Sequence, residues 1–267
     1  MNLLRVPKFF SRAALLTGFI SGIAMASETT TELTSEPTTG RPVTSSVQEE
    51  ESSHEIVRPM SLDIMNNTER ISQIGFIEPA LTPALMQEIN QLYSYVDVNS
   101  QVPRDLMAKA LSYYHTNLAK IENPNYLSIA DFSQNSSQPR FYLVNMNTGA
   151  VWNLHVAHGK NSDPGNTGFA TRFSNANGSE ESSLGFFLTA ETYYGEHGLS
   201  LRIDGLSSTN SNVRQRAIVI HGASYVYDEN IKAGRSWGCF AFPMDDRDKV
   251  VQQLKGGSLV FAAQSSL

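Results

Sequence analysis

RAIVIHGASYVYDENIKAGRSWGCFAF, residues 216–242, is the stretch that decides the expected fold and site. Its first five residues, Arg216–Ile220, are apolar and mostly β-branched after the arginine, which predicts a buried strand. That strand would present His221 at its end, where Gly222 lets the chain turn away. Cys239 follows 18 residues after His221. A strand-borne imidazole and a thiol at this spacing predict a nucleophilic Cys/His site.

Cys239 is the only cysteine in the chain. A lone thiol in an exported protein cannot form an internal disulfide, so it is either buried and inert or used chemically. His221 is the expected base that forms the thiolate and later protonates a leaving amine. Its second ring nitrogen needs a partner, for which a backbone carbonyl and the Ser236 hydroxyl are both open. The catalytic candidates are therefore Cys239, His221 and Ser236.

The turn before the thiol supplies candidate donors for a developing oxyanion. These are the backbone N–H groups of Trp237, Gly238 and Cys239, where Gly238 allows close approach of the backbone. The side chains of Arg235 and Trp237 flank the thiol. They are candidates for substrate contact, and packing at the surface is the alternative interpretation.

A metal-dependent hydrolase is the competing chemistry. His155 and His158 are three residues apart, so in a strand they point to opposite faces, and no carboxylate lies beside them at metal-ligand spacing. A Ser-x-x-Lys acyl-enzyme motif is also absent from the sequence. The sequence therefore does not predict a catalytic metal, and the thiol is the expected nucleophile.

Two amphipathic helices are expected before the site. The first begins at Thr82-Pro83, with Thr82 as cap, and the second begins at Pro103 and ends before Pro124. Their apolar residues recur at helical spacing, so they would form a helical hairpin. Because nothing chemical marks this hairpin, packing against the remaining chain is favoured over binding a partner.

From Tyr126 onward the sequence changes to short β-rich runs. The expected strands are residues 126–131, 140–145, 151–157, 184–192, 199–203, 216–220 and 258–263, with a helix at 245–254. Asn147-Thr148-Gly149 predicts the turn of a β-hairpin. Residues 159–183 are rich in Gly, Asn and Ser, and predict a long loop bordering the site. The expected fold class is α+β and β-dominated.

The N-terminal part is expected to direct export. Residues 1–26 combine basic residues, a short apolar run and Ala24-Met25-Ala26, which predicts a signal peptide. An uncleaved membrane anchor is disfavoured because the apolar run is short, so no stable membrane span is expected after cleavage. The Ser/Thr/Glu-rich residues 27–59 predict a disordered linker. A helical region at 60–124 and a catalytic domain at 125–267 would follow. The formal net charge of −6 argues against binding nucleic acid.

His221-Gly222 and Ser236-Trp-Gly-Cys239 resemble the motif of the YkuD-like L,D-transpeptidases, cysteine enzymes that cross-link bacterial peptidoglycan. Further stretches resemble the divergent branch labelled the murein L,D-transpeptidase catalytic domain family. They are Val156–Gly159, Phe173–Asn175, Ser182–Gly185, Tyr193–Gly198, Ser200–Arg202 and Arg216–Gly222. The resemblance covers roughly residues 125–263. The sequence departs from the common pattern in two ways. Phe240–Phe242 follow the cysteine where Arg, Asn or Pro is usual, and Trp237 replaces a common His.

The resemblance implies a β-sandwich-like fold without a cofactor and a periplasmic wall enzyme that carbapenems acylate. Cys239 would attack a tetrapeptide stem, expel D-Ala and pass the acyl group to a diaminopimelate amine, with His221 as proton carrier. Peptidoglycan stem peptides would be the partners. Further candidates for substrate contact are Gly222, His158, Tyr194, His197 and Arg202. Hydrolysis of the same acyl-enzyme, as an L,D-carboxypeptidase or endopeptidase, and a noncatalytic wall-binding role are the alternatives.

Overall fold

The computed structural model describes residues 69, 71 and 74–266. The predicted signal peptide and linker lie outside these residues. The helices of 83–266 are α1 (Pro83–Leu92), α2 (Arg104–Asn117) and α3 (Met244–Leu254), with short 3-10 turns at Leu118–Lys120 and Lys160–Ser162. The strands are β1 (Tyr126–Asp131), β2 (Phe141–Asn145), β3 (Val151–Leu154), β4 (Gly185–Gly195), β5 (Gly198–Gly205), β6 (Val219–Gly222), β7 (Phe240–Phe242) and β8 (Leu259–Ala263).

These eight strands form one mixed sheet in the order β3-β2-β1-β8-β4-β5-β6-β7. The pairs β1–β8 and β6–β7 are parallel, and the other neighbours are antiparallel. The backbone N–H of Ala157, just after β3, donates to the Ala241 carbonyl of β7 at 2.9 Å. The two ends of the sheet therefore meet, and the sheet encloses a core between its halves. The predicted β-dominated, sandwich-like fold is confirmed.

Aromatic side chains fill the space between the two ends of the sheet. The rings of Phe141 on β2 and Phe242 on β7 are 4.8 Å apart and nearly perpendicular, an edge-to-face contact. Phe187 of β4 makes a similar contact with Phe240 at 5.4 Å. Apolar residues of α3, including Leu254, join the same cluster. This inner core fixes β7, and with it the residues that immediately precede β7.

The helical hairpin covers the outer face of the sheet, as predicted. Thr82 caps α1, because its hydroxyl accepts from the Leu85 N–H at 3.2 Å. Tyr113 of α2 stacks on Phe186 of β4 with ring centroids 3.7 Å apart, and Phe186 stacks in turn on Phe261 of β8. The hairpin and the sheet thus share a second hydrophobic core.

Two differences from the sequence-based expectations lie beside the proposed site. β6 begins at Val219 rather than at Arg216, because Ala217 has a φ of +55°, which interrupts the extended backbone. His221 is therefore inside the strand and not beyond its end. β7 was not predicted, since a strand of three residues is too short to show an alternating pattern. The remaining strands agree with the expected ones within a few residues, and β3 ends early at Leu154.

Candidate active site

The predicted catalytic histidine lies on β6, and the predicted thiol lies just before the neighbouring strand β7. β6 and β7 pair in parallel with His221 opposite Ala241, and Cys239 directly precedes β7. Two residues along a strand and one strand across correspond to roughly 8 Å between the Cα atoms of Cys239 and His221. A thiol and an imidazole can span such a separation. The inner core holds both strands, so this placement follows from the fold.

His221 has a defined ring orientation. The residue is fully buried, and its Nδ1 lies 3.0 Å from the Gly222 carbonyl oxygen. Since a carbonyl only accepts hydrogen bonds, Nδ1 carries the hydrogen, and Nε2 is the basic nitrogen of the neutral ring. The His197 ring stacks on His221 with centroids 4.2 Å apart. The sequence left two possible partners for the second ring nitrogen of His221, a backbone carbonyl and the Ser236 hydroxyl. In the structure the partner is the backbone carbonyl of Gly222.

Cys239 is partly exposed, in contrast to the buried histidine. Its Sγ lies 3.9 Å from the Ala217 carbonyl oxygen, a long contact in which a thiol can act as a weak donor. Apolar residues of the inner core pack against one side of it. A thiol that is accessible and fixed by packing on one side is suited to nucleophilic attack.

Ser236 shapes the turn that carries the thiol. Its hydroxyl donates to the Cys239 carbonyl at 2.8 Å and accepts from the Gly238 N–H at 3.2 Å. The Gly238 amide is thus engaged by Ser236, and it can serve an oxyanion only by leaving that hydroxyl. Gly238 itself has a φ of +114°, a conformation that favours glycine. The two hydrogen bonds of the Ser236 hydroxyl therefore stabilise the conformation of the turn.

Residues 234–238 also match the Gly-x-Ser-x-Gly spacing of serine hydrolases, a signal for a serine nucleophile. In that motif the serine is exposed on a turn between a strand and a helix. Here Ser236 is fully buried, and the strand β7 follows the turn. The motif match is therefore one of spacing alone, and of the two candidate nucleophiles in this turn only Cys239 is accessible.

Arg235 joins the thiol turn to the loop that borders it. Its Nη1 donates to the Asp163 carbonyl at 2.6 Å. Backbone bonds run parallel to this contact, since Ser236 N–H donates to His158 O at 3.0 Å and Lys160 N–H donates to Ser236 O at 2.6 Å. Trp237 is partly exposed on the same turn. The predicted loop at 159–183 therefore borders the thiol, as expected.

His158 belongs to a buried polar network and not to the cleft. It is 1% exposed, with Nδ1 2.7 Å from Arg140 Nη2 and Nε2 3.6 Å from Asp163 Oδ2. Burial lowers the pKa of His158, and the Arg140 charge lowers it further. Burial alone would raise the pKa of Asp163, but hydrogen bonds from Thr167 and Gly168 outweigh it and lower that pKa. The expected contact of His158 with substrate does not fit this position, because protein groups surround its ring.

The remaining candidates for substrate contact have different surroundings. Gly222 is buried against α3, where an added Cβ would lie 3.0 Å from Arg247, so it allows close helix packing. Arg202 lies 4.3 Å from the Tyr193 ring centroid and 3.3 Å from Glu191 Oε1. Tyr194, near the end of β4, is 83% exposed. Among the five further candidates, Gly222 and His197 contact His221, through the Gly222 carbonyl oxygen and the stacked His197 ring respectively.

Arg216 approaches the site although the sequence indicated only a strand residue there. Its Nη2 lies 3.3 Å from where a Cβ on Gly238 would be. The approach depends on the turn at Ala217, which no periodicity in the sequence reveals. Within the described part of the chain, no group of three or more His, Cys, Asp or Glu side chains is arranged to hold a metal ion.

A family model described as the L,D-transpeptidase catalytic domain matches residues 98–263, more than half of the chain. The chain belongs to this family. The match includes α2 and all eight strands, together with Cys239 and His221. A comparison with curated proteins gives no significant match. In the residues that the structure describes, no helix is long and apolar enough to span a membrane.

Several L,D-transpeptidases are among the similar solved structures. One is from Mycobacterium smegmatis, with 12% identity, a TM-score of 0.33, and coverage of 52% of this chain and 58% of that one. Another is residues 123–326 of the L,D-transpeptidase of Xylanimonas cellulosilytica, with 11% identity, a TM-score of 0.32, and coverage of 76% and 94%. The helical cell shape determining protein Pgp2 of Campylobacter jejuni has 12% identity, a TM-score of 0.33, and coverage of 53% and 48%. This chain thus spans less than two thirds of the M. smegmatis structure, and family membership rests on the sequence match.

Proposed function

We propose that the protein is a peptidoglycan L,D-transpeptidase in which Cys239 is the nucleophile and His221 is the proton carrier. The observation that carries the proposal is the register of β6 and β7, which brings the chain's only cysteine beside a buried histidine of defined tautomer. Membership of the L,D-transpeptidase family supplies the substrate class.

The first half-reaction forms an acyl-enzyme. Nε2 of His221 takes the thiol proton, and Sγ of Cys239 attacks the carbonyl carbon of the stem peptide at the L-to-D centre. Backbone N–H groups of the turn at Trp237 and Cys239 would stabilise the oxyanion. The C–N bond then breaks, and His221 returns the proton to the D-Ala amine that leaves. A thioester remains on Cys239.

The second half-reaction transfers the acyl group. An amine of another stem attacks the thioester carbonyl and loses its proton to His221, and the C–S bond breaks to regenerate the thiol. Water in place of the amine would release a shortened stem peptide. The products therefore separate transfer from hydrolysis.

The test is incubation of the purified protein with disaccharide-tetrapeptide, followed by mass spectrometry. A cross-linked dimer that has lost one D-Ala is the expected product, and Cys239→Ala should not form it. The matched control is Ser265→Ala, which leaves the thiol turn unchanged. Shortened monomer alone would assign hydrolysis. The absence of any Cys239-dependent product would refute the proposed enzyme activity.

A carbapenem gives a second readout that needs no acceptor. Acylation of Cys239 should raise the intact protein mass by one carbapenem, and Cys239→Ala should keep its mass. Action in the periplasm is part of the same proposal, since the family acts on the cell wall outside the cytoplasm. Cell fractionation should find the protein in the periplasmic fraction, and its recovery in the cytoplasm would contradict the predicted signal peptide.

A further inference from the structure

Arg216 is the centre of a hydrogen-bonded cluster beside the thiol. Its Nη1 donates to the Ser174 carbonyl at 2.7 Å and to Ser183 Oγ at 2.6 Å. Its Nη2 donates to Ser179 Oγ at 3.0 Å and to the Glu181 carbonyl at 2.6 Å. All four acceptors belong to the end of the long loop. The guanidinium therefore holds residues 174–183 in one arrangement.

That arrangement is in direct contact with the thiol turn. The Glu181 carbonyl oxygen and Arg216 Nη2 lie 2.6 Å and 3.3 Å from the position that a Cβ on Gly238 would take. On the other side, Cys239 Sγ lies near the carbonyl of Ala217, the residue after Arg216. The Arg216 guanidinium thus lies beside Gly238, and the backbone of the next residue, Ala217, lies beside Cys239.

The Arg216 guanidinium also interacts electrostatically with Cys239. Partial burial lowers the pKa of Arg216, while the Cys239 thiolate and the Glu181 carboxylate act in the opposite direction. An arginine stays protonated at physiological pH whichever of these effects is larger. The Glu181 carboxylate is also close to Arg172, at 3.5 Å. The guanidinium is thus a permanent positive charge beside a group that must become negative.

We propose that Arg216 is a positioning residue of the site, which fixes the 174–183 segment against the thiol turn and favours the thiolate of Cys239. This inference rests on the proposed function, in which Cys239 reacts as a thiolate. It adds a second source of positive charge to the imidazole of His221. A thiolate next to a positive charge forms at lower pH than a free thiol.

The charged and titratable groups around Cys239 define the test. They are Arg216 and Glu181, together with His221 on β6 and His197 stacked on it. The rate of alkylation of Cys239 by iodoacetamide, measured from pH 5 to 10, reports the thiolate fraction directly. This reagent needs no peptidoglycan substrate. The alkylation profile therefore tests this inference even if the cross-linking assay gives no product.

Arg216→Met should shift the alkylation profile by about one pH unit to higher pH and slow the reaction about tenfold at pH 6.5. The limiting rate at high pH should stay near that of the wild type, because the thiolate itself is unchanged. Arg216→Lys keeps the charge and should recover part of the rate at pH 6.5. Arg172→Met removes one positive charge from the neighbourhood of Glu181 without touching Arg216, and it is the matched control. Equal profiles for folded Arg216→Met and Arg172→Met would overturn the inference.

A variant that leaves Arg216 in place keeps the inference testable if Arg216→Met does not fold. In His221→Ala the permanent positive charge of Arg216 remains beside the thiol, so the thiol should still titrate below the free-cysteine pKa of about 8.5. Titration at or above that value in folded His221→Ala would show that Arg216 contributes no charge stabilisation.

Discussion

Gly238→Ala is the substitution that most directly probes the turn beside the thiol. Gly238 has a φ of +114°, and a Cβ there would lie 2.6 Å from the Glu181 carbonyl oxygen and 2.9 Å from Ile218 Cδ1. Both neighbours are fixed, because the Glu181 carbonyl accepts from Arg216 and the Ile218 side chain is 4% exposed in the inner core. The added methyl group therefore has to displace backbone.

Two contributions set the expected loss of stability. A backbone conformation reserved for glycine costs about 1–3 kcal/mol for alanine. Forcing a methyl group into packed surroundings adds about 1–3 kcal/mol. The free energy of unfolding should therefore fall by about 2–6 kcal/mol. Relief of the clash would move the thiol turn, and a displacement near 1 Å can lower the rate of the proposed reaction about a hundredfold.

Gly256→Ala is the matched control, since Gly256 has a φ of +78° but no atom within 4 Å of an added Cβ. It should lose only the conformational part, about 1 kcal/mol, and keep its activity. Urea unfolding measures both variants, and alkylation of Cys239 together with cross-linking measures the site. If Gly238→Ala is no less stable than Gly256→Ala, the argument from close contact with Glu181 is refuted.

Two further predictions concern histidines. Burial and the Arg140 charge keep folded His158 neutral, so the unfolded chain binds a proton that the folded chain does not, and stability should fall by up to about 1.4 kcal/mol per pH unit below pH 6.5. Urea unfolding at pH 7 and 5.5 should show a smaller difference for His158→Gln, and an equal difference would contradict the assignment. The stack of His197 on His221 is worth about 0.5–1.5 kcal/mol, so His197→Ala should slow cross-linking about twofold to tenfold, whereas His197→Phe retains the stack. Equal rates for the two His197 variants would show that the stacked ring does not position His221.

Much of the fold could be predicted from local signals. Thr82-Pro83 marked the start of α1, and the run at Tyr126–Asp131 coincides with β1. Both segments satisfy their own propensities, so tertiary contacts did not override them. The fold class followed from the same signals together with the family resemblance.

The errors arose where backbone contacts that show no sequence periodicity determine the local conformation. Val219 rather than Arg216 begins β6, because the turn at Ala217 is stabilised by backbone bonds to residues 212–214. Phe240–Phe242 form a strand because β6 and the segment after β3 pair with them, and their own sequence is too short to show it. Neither contact leaves a trace in sequence spacing.

The candidate site also contains both residues that the sequence predicted and residues that it did not. The motif residues Cys239 and His221 were predicted from spacing and chemistry, and the structure places His221 on β6 and Cys239 immediately before the neighbouring strand β7. His158 was a substrate candidate because the family pattern includes it, but Arg140 and Asp163 enclose its ring. Arg216 was missed because its contacts are with a loop more than thirty residues earlier in the chain.

The central place of β8 has a consequence for the order of assembly. β8 comes last among these strands in the chain, yet it lies between β1 and β4 in the sheet. A chain that emerges from a ribosome or a membrane pore with its N-terminus first cannot connect β1 to β4 within the sheet until β8 has emerged. Such pairing between remote segments raises the contact order and slows folding. Emerging intermediates would therefore expose two unjoined sheet edges, which a chaperone that binds extended strands could protect until the last strand inserts.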